Sequence, residues 1–160
     1  MLIKGIQDED FVNYKVPSMY IATATCSFKC DKECGQPICQ NGELANQPTH
    51  NVSDALIVNR YIHNDITRAV VFGGLEPFDQ FNDMCCLIKM LRLDMFVPDD
   101  IVIYTGYNRQ EIDEQVEFLK KTYSNIVIKF GRYIPGQHPH YDPVLGVYLA
   151  SDNQYAERIS

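Results

Sequence analysis

Residues 69–77 read AVVFGGLEP, a short apolar run followed by two glycines. The first four residues are buried-strand types, and Gly73-Gly74 interrupts them in the way that ends a strand in a tight turn. Comparable apolar runs predict three further strands, at residues 18–24, 101–104 and 125–130. These four runs form the framework from which the rest of the fold is predicted.

Segments with helical periodicity lie between the predicted strands. They run from the predicted N-cap Ser53 to about His63, from about Asp79 to Leu93, and from a capping-box pattern at Asn108 and Glu111 to about Tyr123. Strands that alternate with helices across short turns predict parallel strands with right-handed crossovers. We therefore expect one α/β domain over residues 1–160, with a loop at 42–52 and, after a proline-rich segment and a short apolar run, a polar C-terminal tail.

The amino-acid composition limits the kinds of binding partner and the cellular location that we expect. The 160 residues carry a formal net charge of −7, which argues against a nucleic-acid partner because phosphate neutralisation requires a basic surface. No stretch approaches the roughly 20 apolar residues of a membrane span, and the N-terminus lacks the apolar run of a signal peptide. We expect a cytoplasmic protein without a membrane partner, in which thiols stay reduced and a disulfide framework does not persist.

Four cysteines are concentrated in CSFKCDKECGQPICQN, residues 26–41. Cys26, Cys30, Cys34 and Cys39 are separated by three, three and four residues. Zinc sites and iron–sulfur clusters both use closely spaced thiolates, so the spacing alone favours neither. Four unligated thiols are the third reading of this segment.

The cysteine segment and two other distinctive segments follow predicted strands. GGLEP follows the second strand and TGY follows the third, and ligands gather at the carboxyl ends of such strands. Glycines at 73 and 74 allow close approach of the backbone to a ligand, although a simple strand–helix turn uses the same pair. If three cysteines hold a four-iron cluster, the fourth iron stays open to a chelating amine and carboxylate, and Glu76 is suited to receive the ammonium group.

The order of motifs along the chain resembles that of the radical S-adenosylmethionine (SAM) superfamily. The resemblance is greatest to the activating proteins of anaerobic ribonucleoside-triphosphate reductase, which are glycyl-radical activases. The motifs that carry it are DFVNY (10–14), CSFKC (26–30), CQN (39–41), VVFGGLEPFDQ (70–80), DIVIYTGYNRQEI (100–112) and ASDNQ (150–154). Three features differ from the family pattern: the spacing after the second cysteine, the extra Leu75 before the acidic residue, and the sequence that precedes ASDNQ.

This resemblance implies a fold, two cofactors and a reaction. The fold would be a small open, partial β/α barrel of mostly parallel strands. The cofactors would be a [4Fe–4S] cluster and SAM, which the reduced protein cleaves to methionine and a 5′-deoxyadenosyl radical. The implied partners are a glycyl-radical enzyme similar to anaerobic ribonucleotide reductase, on which a glycine is activated, and a flavodoxin or ferredoxin that donates the electron.

The resemblance also assigns roles to individual residues. Cys26 and Cys30 correspond to the first two cluster ligands, and either Cys34 or Cys39 is the third. We favour Cys39 because the apolar Ile38 precedes it, as the family pattern requires. The expected SAM contacts are Ile38, Gly73, Gly74, Glu76 and Tyr107, with no catalytic residue beyond the cluster ligands.

Two other functions remain open on the sequence. One is a radical SAM enzyme that modifies a different peptide, protein or nucleotide. The other is a non-catalytic module that uses the cysteines to bind an iron–sulfur cluster or zinc.

Overall fold

Nine strands and five α-helices form the computed structural model, which describes residues 1–160. The strands are β1 (Leu2–Asp10), β2 (Ser18–Thr23), β3 (His50–Asn51), β4 (Ala69–Gly74), β5 (Asp100–Tyr104), β6 (Ile126–Phe130), β7 (His140–Asp142), β8 (Val147–Leu149) and β9 (Tyr155–Arg158). The helices are α1 (Lys29–Cys34), α2 (Gly42–Ala45), α3 (Asp54–Ile62), α4 (Phe81–Lys89) and α5 (Asp113–Thr122). None of these helices is long and apolar enough to cross a lipid bilayer.

Seven strands form one sheet in the order β3-β1-β2-β4-β5-β6-β9. The central strands β2, β4, β5 and β6 are mutually parallel, which confirms the parallel pairing expected from the alternating pattern. The outer strands β1, β3 and β9 pair antiparallel to their neighbours. The sheet is therefore open, with β3 and β9 at its two edges, and its classification as a partial barrel stays a prediction.

The four strands predicted from apolar runs are confirmed, whereas the edges of the sheet were not foreseen. Strand β1 precedes the first predicted strand and pairs with it along its length. Residues 42–52, predicted as a loop, contain the short helix α2 and the two-residue strand β3. The C-terminal residues, predicted as a polar tail, form strand β9, because pairing with β6 satisfies their backbone groups and buries Ile159.

Helix boundaries follow the capping residues. Ser53 caps α3 by accepting a hydrogen bond from the backbone of Leu56, as predicted. The predicted helix from Asp79 to Leu93 is divided into a 3₁₀ turn at Pro77–Gln80, helix α4, and a π turn at Met90–Asp94. The capping box at Asn108 and Glu111 is present, but it opens a 3₁₀ turn that precedes α5.

The two faces of the sheet are covered by different elements. Helices α3, α4 and α5 pack on one face through residues such as Ile57, Leu87 and Leu119. The other face is covered by loops and by the β7–β8 hairpin, which bring Tyr14 and Leu145 onto small strand residues. At the carboxyl ends of the parallel strands this second face borders a cavity that is lined by Tyr20, Tyr104 and Leu149.

The turn after β4 depends on glycine at position 74. Gly74 has φ +81°, a conformation that is strained for a side-chain-bearing residue. A Cβ atom at this position would lie 2.9 Å from Cα of Ala22 on β2. Both constraints act where β4 pairs with Thr23, at the last rung of the parallel ladder.

We predict that Gly74→Ala lowers the free energy of unfolding by about 2–4 kcal/mol, from the left-handed strain and the overlap with β2. Gly5→Ala is the matched control, because no atom lies within 4 Å of its added Cβ. Urea denaturation of the two variants measures the difference. Equal stability of the two variants would contradict the assigned role of Gly74.

Candidate functional site

A cavity of about 330 Å³ lies at the carboxyl ends of the four parallel strands. Its walls come from the segments that follow β2, β4, β5 and β6, including Cys26, Glu76, Gly106 and Arg132. The expected convergence of the cysteine, GGLEP and TGY segments on one edge of the sheet is thus confirmed. The loop after β6 joins them.

Three of the four clustered cysteines line this cavity. Cys26, Cys30 and Cys39 contribute to its wall, and each is partly buried. Cys34 lies one helical turn beyond Cys30, is exposed, and lines only a neighbouring cavity of about 260 Å³, which Cys30 also borders. The cysteines are therefore divided into a group of three and one outlier.

Asp31 determines how the long second gap between cysteines is folded. Its Oδ1 atom accepts backbone hydrogen bonds from Ile38 at 2.9 Å and from Cys39 at 2.8 Å. The carboxylate therefore draws the end of the loop back onto the start of α1. As a result, Cys39 returns to the cavity although eight residues separate it from Cys30.

Tyr107 joins the cysteine segment to the turns after β4 and β5. Its hydroxyl donates to Oδ1 of Asp79 at 2.6 Å, and the other carboxylate oxygen of Asp79 accepts from the backbone of Ser27. The side chain of Asn41 donates to the carbonyl of Gly74 at 2.6 Å, near the other end of the cysteine segment. Both ends of this segment are thus held against the sheet.

A charged cluster joins α1 to the segments that follow β5 and β6. Arg132 forms two hydrogen bonds with Glu111, at 2.6 and 2.7 Å, and Lys29 binds the same carboxylate at 3.2 Å. The Arg132 guanidinium lowers the pKa of Glu111 to about 2. Lys29 and Arg132 also approach the Tyr107 ring, with Nζ 4.6 Å and Cζ 5.7 Å from its centroid.

Glu76 is buried in the cavity wall, with 7% of its surface exposed. Its Oε1 atom accepts from the Thr105 hydroxyl at 2.7 Å and from the backbone of Phe78 at 3.1 Å, and Oε2 accepts from the backbone of Gly106 at 2.9 Å. A carboxylate offers about four acceptor positions, so these bonds leave one on Oε2. Glu76 therefore connects two turns and retains an acceptor for a ligand.

Three of the other four residues predicted to contact the ligand line the cavity, and one does not. Ile38, Gly74 and Tyr107 line the cavity together with Glu76. Gly73 does not line it, and a Cβ at this position would lie 2.6 Å from the hydroxyl of Tyr20, which does. The inserted Leu75 lines the cavity beside Glu76.

Sequence reasoning missed Asp31, Arg132 and Lys129. Lys129 lies on β6 in the cavity wall and is only 7% exposed. A signal for it is present, because it is the one charged residue in the apolar strand IVIKF. Asp31 and Arg132 carry no comparable signal, since their importance arises from contacts that only the folded chain makes.

Cys39 lies within side-chain hydrogen-bonding reach of Cys30 and close enough to Cys26 for their charges to interact. No group of three or more His, Cys, Asp or Glu side chains is arranged to hold a single metal ion. A cluster of several irons, each bound to one cysteine, suits thiols that line a shared space. Burial raises the pKa values of Cys26 and Cys30 to about 11, so cluster assembly has to displace their protons.

We predict that Glu76 makes the metal-free protein less stable as the pH rises from about 4.5 to about 7. Burial raises the pKa of Glu76 from 4.5 to about 7, so the folded chain retains a proton that the unfolded chain releases earlier. The shift corresponds to a free energy on the order of 3 kcal/mol. The difference in unfolding free energy between Glu76→Gln and wild type should therefore shift in favour of the variant by about this amount as the pH rises from 4.5 to 8.

Urea denaturation across this pH range, under reducing conditions, measures the effect. Glu114→Gln changes an exposed glutamate on α5 and is expected to keep the pH dependence of wild type. A constant stability difference between Glu76→Gln and wild type across the range would contradict the prediction.

The chain was compared with protein families, curated proteins and solved structures. No curated protein and no solved structure shows a significant match. The sequence model of one family, described as a 4Fe-4S single cluster domain, matches residues 17–142, a range that includes all four clustered cysteines and the cavity segments after β2, β4, β5 and β6. Since this match extends over most of the chain, the protein belongs to the 4Fe-4S single cluster domain family.

Proposed function

We propose that the protein is a radical SAM enzyme that binds a [4Fe–4S] cluster through Cys26, Cys30 and Cys39 and cleaves SAM reductively. The observation that carries the proposal is the grouping of these three thiols in one cavity with Glu76, while the fourth thiol faces elsewhere. Three protein ligands leave one iron of a four-iron cluster without a cysteine. The family match supports the cluster, and the order of sequence motifs supports SAM as the second cofactor.

Held by Cys26, Cys30 and Cys39, the cluster would supply an open iron for SAM and, once reduced by an external donor, the electron for cleavage of the sulfonium to methionine and a 5′-deoxyadenosyl radical. The chain itself orients the ligand. Glu76 offers its remaining acceptor to the ammonium group of SAM, and Gly74 lets the backbone approach closely. Ile38 presents an apolar surface beside Cys39 for the adenine ring.

Two contacts support Cys39 rather than Cys34 as the third ligand. The backbone bonds to Asp31 direct Cys39 into the cavity, and Asn41 fixes the following turn to Gly74. Cys34 instead lies at the exposed end of α1, where Nε2 of Gln36 approaches its sulfur at 3.6 Å. The excess length of the loop costs little entropy, because closure entropy grows slowly with loop length.

We predict that Asp31→Ala lowers the iron content after anaerobic reconstitution, because the loss of two backbone bonds frees Cys39 from the cavity. Each lost hydrogen bond to a charged acceptor contributes about 1.5–3 kcal/mol to this arrangement. Asp31→Asn keeps the carbonyl oxygen and is expected to retain most of the iron. Iron and sulfide analysis measures the effect, and equal iron content in both variants would remove Asp31 from this role.

The proposed target is a glycine of a glycyl-radical enzyme similar to anaerobic ribonucleotide reductase, with a flavodoxin or ferredoxin as electron donor. The distant motifs 10–14 and 150–154 support this choice, because Asn13, Ala150 and Gln154 all reach the cavity wall. Tyr148 also lines the cavity and is 75% exposed, so the rim is accessible to a protein partner. A glycine radical signal in electron paramagnetic resonance, formed on such a reductase in the presence of the protein, tests the target.

The decisive experiment is the anaerobic reaction of the reconstituted protein with dithionite and SAM. We expect 5′-deoxyadenosine from wild type and from Cys34→Ala, and no product with little bound iron from Cys39→Ala. Cys34→Ala is the matched control, since it removes a thiol from the same segment outside the cavity.

Other results would refute the radical SAM proposal or change the assignment of the third ligand. A protein that holds its full complement of iron and yields no 5′-deoxyadenosine would refute the radical SAM proposal and leave a non-catalytic cluster-binding module. Zinc bound by all four cysteines would have the same effect. Loss of iron in Cys34→Ala but not in Cys39→Ala would reverse the assignment of the third ligand.

A further inference from the structure

The buried side chain of Gln80 joins the turn after β4 to two other segments of the chain. Gln80 ends the 3₁₀ turn that follows β4, and 9% of its surface is exposed. Its Oε1 atom accepts hydrogen bonds from the backbone of Ala24 at 3.1 Å and from the hydroxyl of Thr25 at 3.0 Å, and its Nε2 atom donates to the carbonyl of Leu2 at 2.9 Å. The amide oxygen thus binds the two residues that precede Cys26, and the amide nitrogen binds β1.

Cys26 lies in a stretch that belongs to neither a helix nor a strand. This irregular stretch covers residues 24–28, and Phe28 at its end has a left-handed conformation with φ +52°. The backbone of Phe28 donates to Sγ of Cys26 at 3.2 Å, so the orientation of the thiol is fixed within its own segment. The position of the thiol at the cavity therefore depends on the contacts that hold residues 24–28 against the rest of the chain.

The 3₁₀ turn supplies such contacts on both sides of Cys26. On the N-terminal side they come from the amide oxygen of Gln80, and on the C-terminal side the carboxylate of Asp79 accepts from the backbone of Ser27. The same turn begins at Glu76, which caps it by accepting from the backbone two residues on. The turn therefore fixes the first thiol and the buried carboxylate relative to each other.

An amide at position 80 has a cost that an apolar side chain would avoid. The other buried residues of the turn are Pro77 and Phe78, which are apolar. Burial of an amide is unfavourable unless its donors and acceptors are paired, and a methionine of similar length would fill the space without this requirement. What the amide adds to packing is a directed acceptor toward the segment that carries Cys26.

We propose that Gln80 is a positioning residue for Cys26, whose thiol it holds at the cavity because its amide oxygen binds the two preceding residues. This inference rests on the proposed function, in which Cys26 is a ligand of the cluster. Without the amide oxygen, the segment is released on its N-terminal side, and the first thiol leaves the wall that it shares with Cys30 and Cys39. The amide nitrogen serves β1 and is not required for this role.

Site-resolved alkylation of the reduced, metal-free chain tests the inference without any cluster. Iodoacetamide labels accessible thiols, and mass spectrometry of the resulting peptides measures the rate at each cysteine. Gln80→Met keeps a similar length and removes the amide. We expect Cys26 to react about 10-fold faster in this variant than in wild type, because two lost hydrogen bonds favour local opening. The exposed Cys34 is the internal reference and should react at the wild-type rate.

Gln80→Glu distinguishes positioning from a general contribution to stability. It keeps an oxygen acceptor toward the segment before Cys26, but it replaces the donor to Leu2 with a second acceptor, so the buried carboxylate destabilises the fold at least as much as methionine does. We expect Cys26 in this variant to react within about threefold of the wild-type rate. Gln110→Met, at an exposed position of another 3₁₀ turn, is the matched control and should leave every rate unchanged.

Thr25→Val keeps the inference testable if Gln80→Met does not fold. It removes one donor to the amide oxygen and leaves Gln80 in place, so we expect Cys26 to react about threefold faster and Cys34 as in wild type. Iron analysis after anaerobic reconstitution is the second measurement. The iron content should fall in Gln80→Met and be retained in Gln80→Glu.

The outcomes separate the role of Gln80 from the proposed function. A wild-type rate at Cys26 in Gln80→Met, or in Thr25→Val where Gln80→Met is unfolded, would overturn that role. Equal acceleration in Gln80→Met and Gln80→Glu would also overturn it, because the residue would then act on stability alone. If Cys26 is held as expected but Cys26→Ala keeps its full iron content, the proposed ligand set is refuted while the contact of Gln80 stands.

Discussion

The carboxylate of Glu76 connects the two turns on which the cavity depends. It accepts hydrogen bonds from the turn that follows its own strand and from Thr105 and Gly106 after the adjacent strand β5. Burial opposes its ionisation, and the three donors only partly offset this cost. A carboxylate kept in such a position despite its cost sets the separation of the turns, and with it the width of the cavity where the cysteine segment meets the sheet.

The central strands were predictable because burial on both faces requires continuous apolar runs. All five residues of β6 are buried, including Lys129, and β4 is equally enclosed up to Gly74. Residues of the edge strands have no such signature. β3 has two exposed residues, and the polar sequence of β9 is ordered by backbone pairing with β6, which periodicity does not reveal.

The site was predictable in part for a related reason. Topology alone brings the segments after parallel strands together, so the convergence of the cysteines with Glu76 and Tyr107 followed from the strand order. The choice between Cys34 and Cys39 did not follow, because thiol spacing is compatible with either. In the structure Asp31 folds the loop that brings Cys39 to the cavity, and Arg132, about a hundred residues further along the chain, anchors α1 by way of Glu111. Contacts of this kind arise only in the folded chain.

The two edges of the open sheet affect whether copies of the protein associate. Exposed edge strands offer unpaired amide and carbonyl groups to neighbouring molecules and promote intermolecular sheet growth. One edge here is formed by β3, which covers β1 only at Leu2 and Ile3, and by the remainder of β1, where Asp8 is engaged with Arg60. The other edge carries Glu157 and Arg158, whose side chains are engaged with Arg109 and Asp100. Fixed charges on both edges oppose such growth, so the open sheet does not offer a ready template for aggregation.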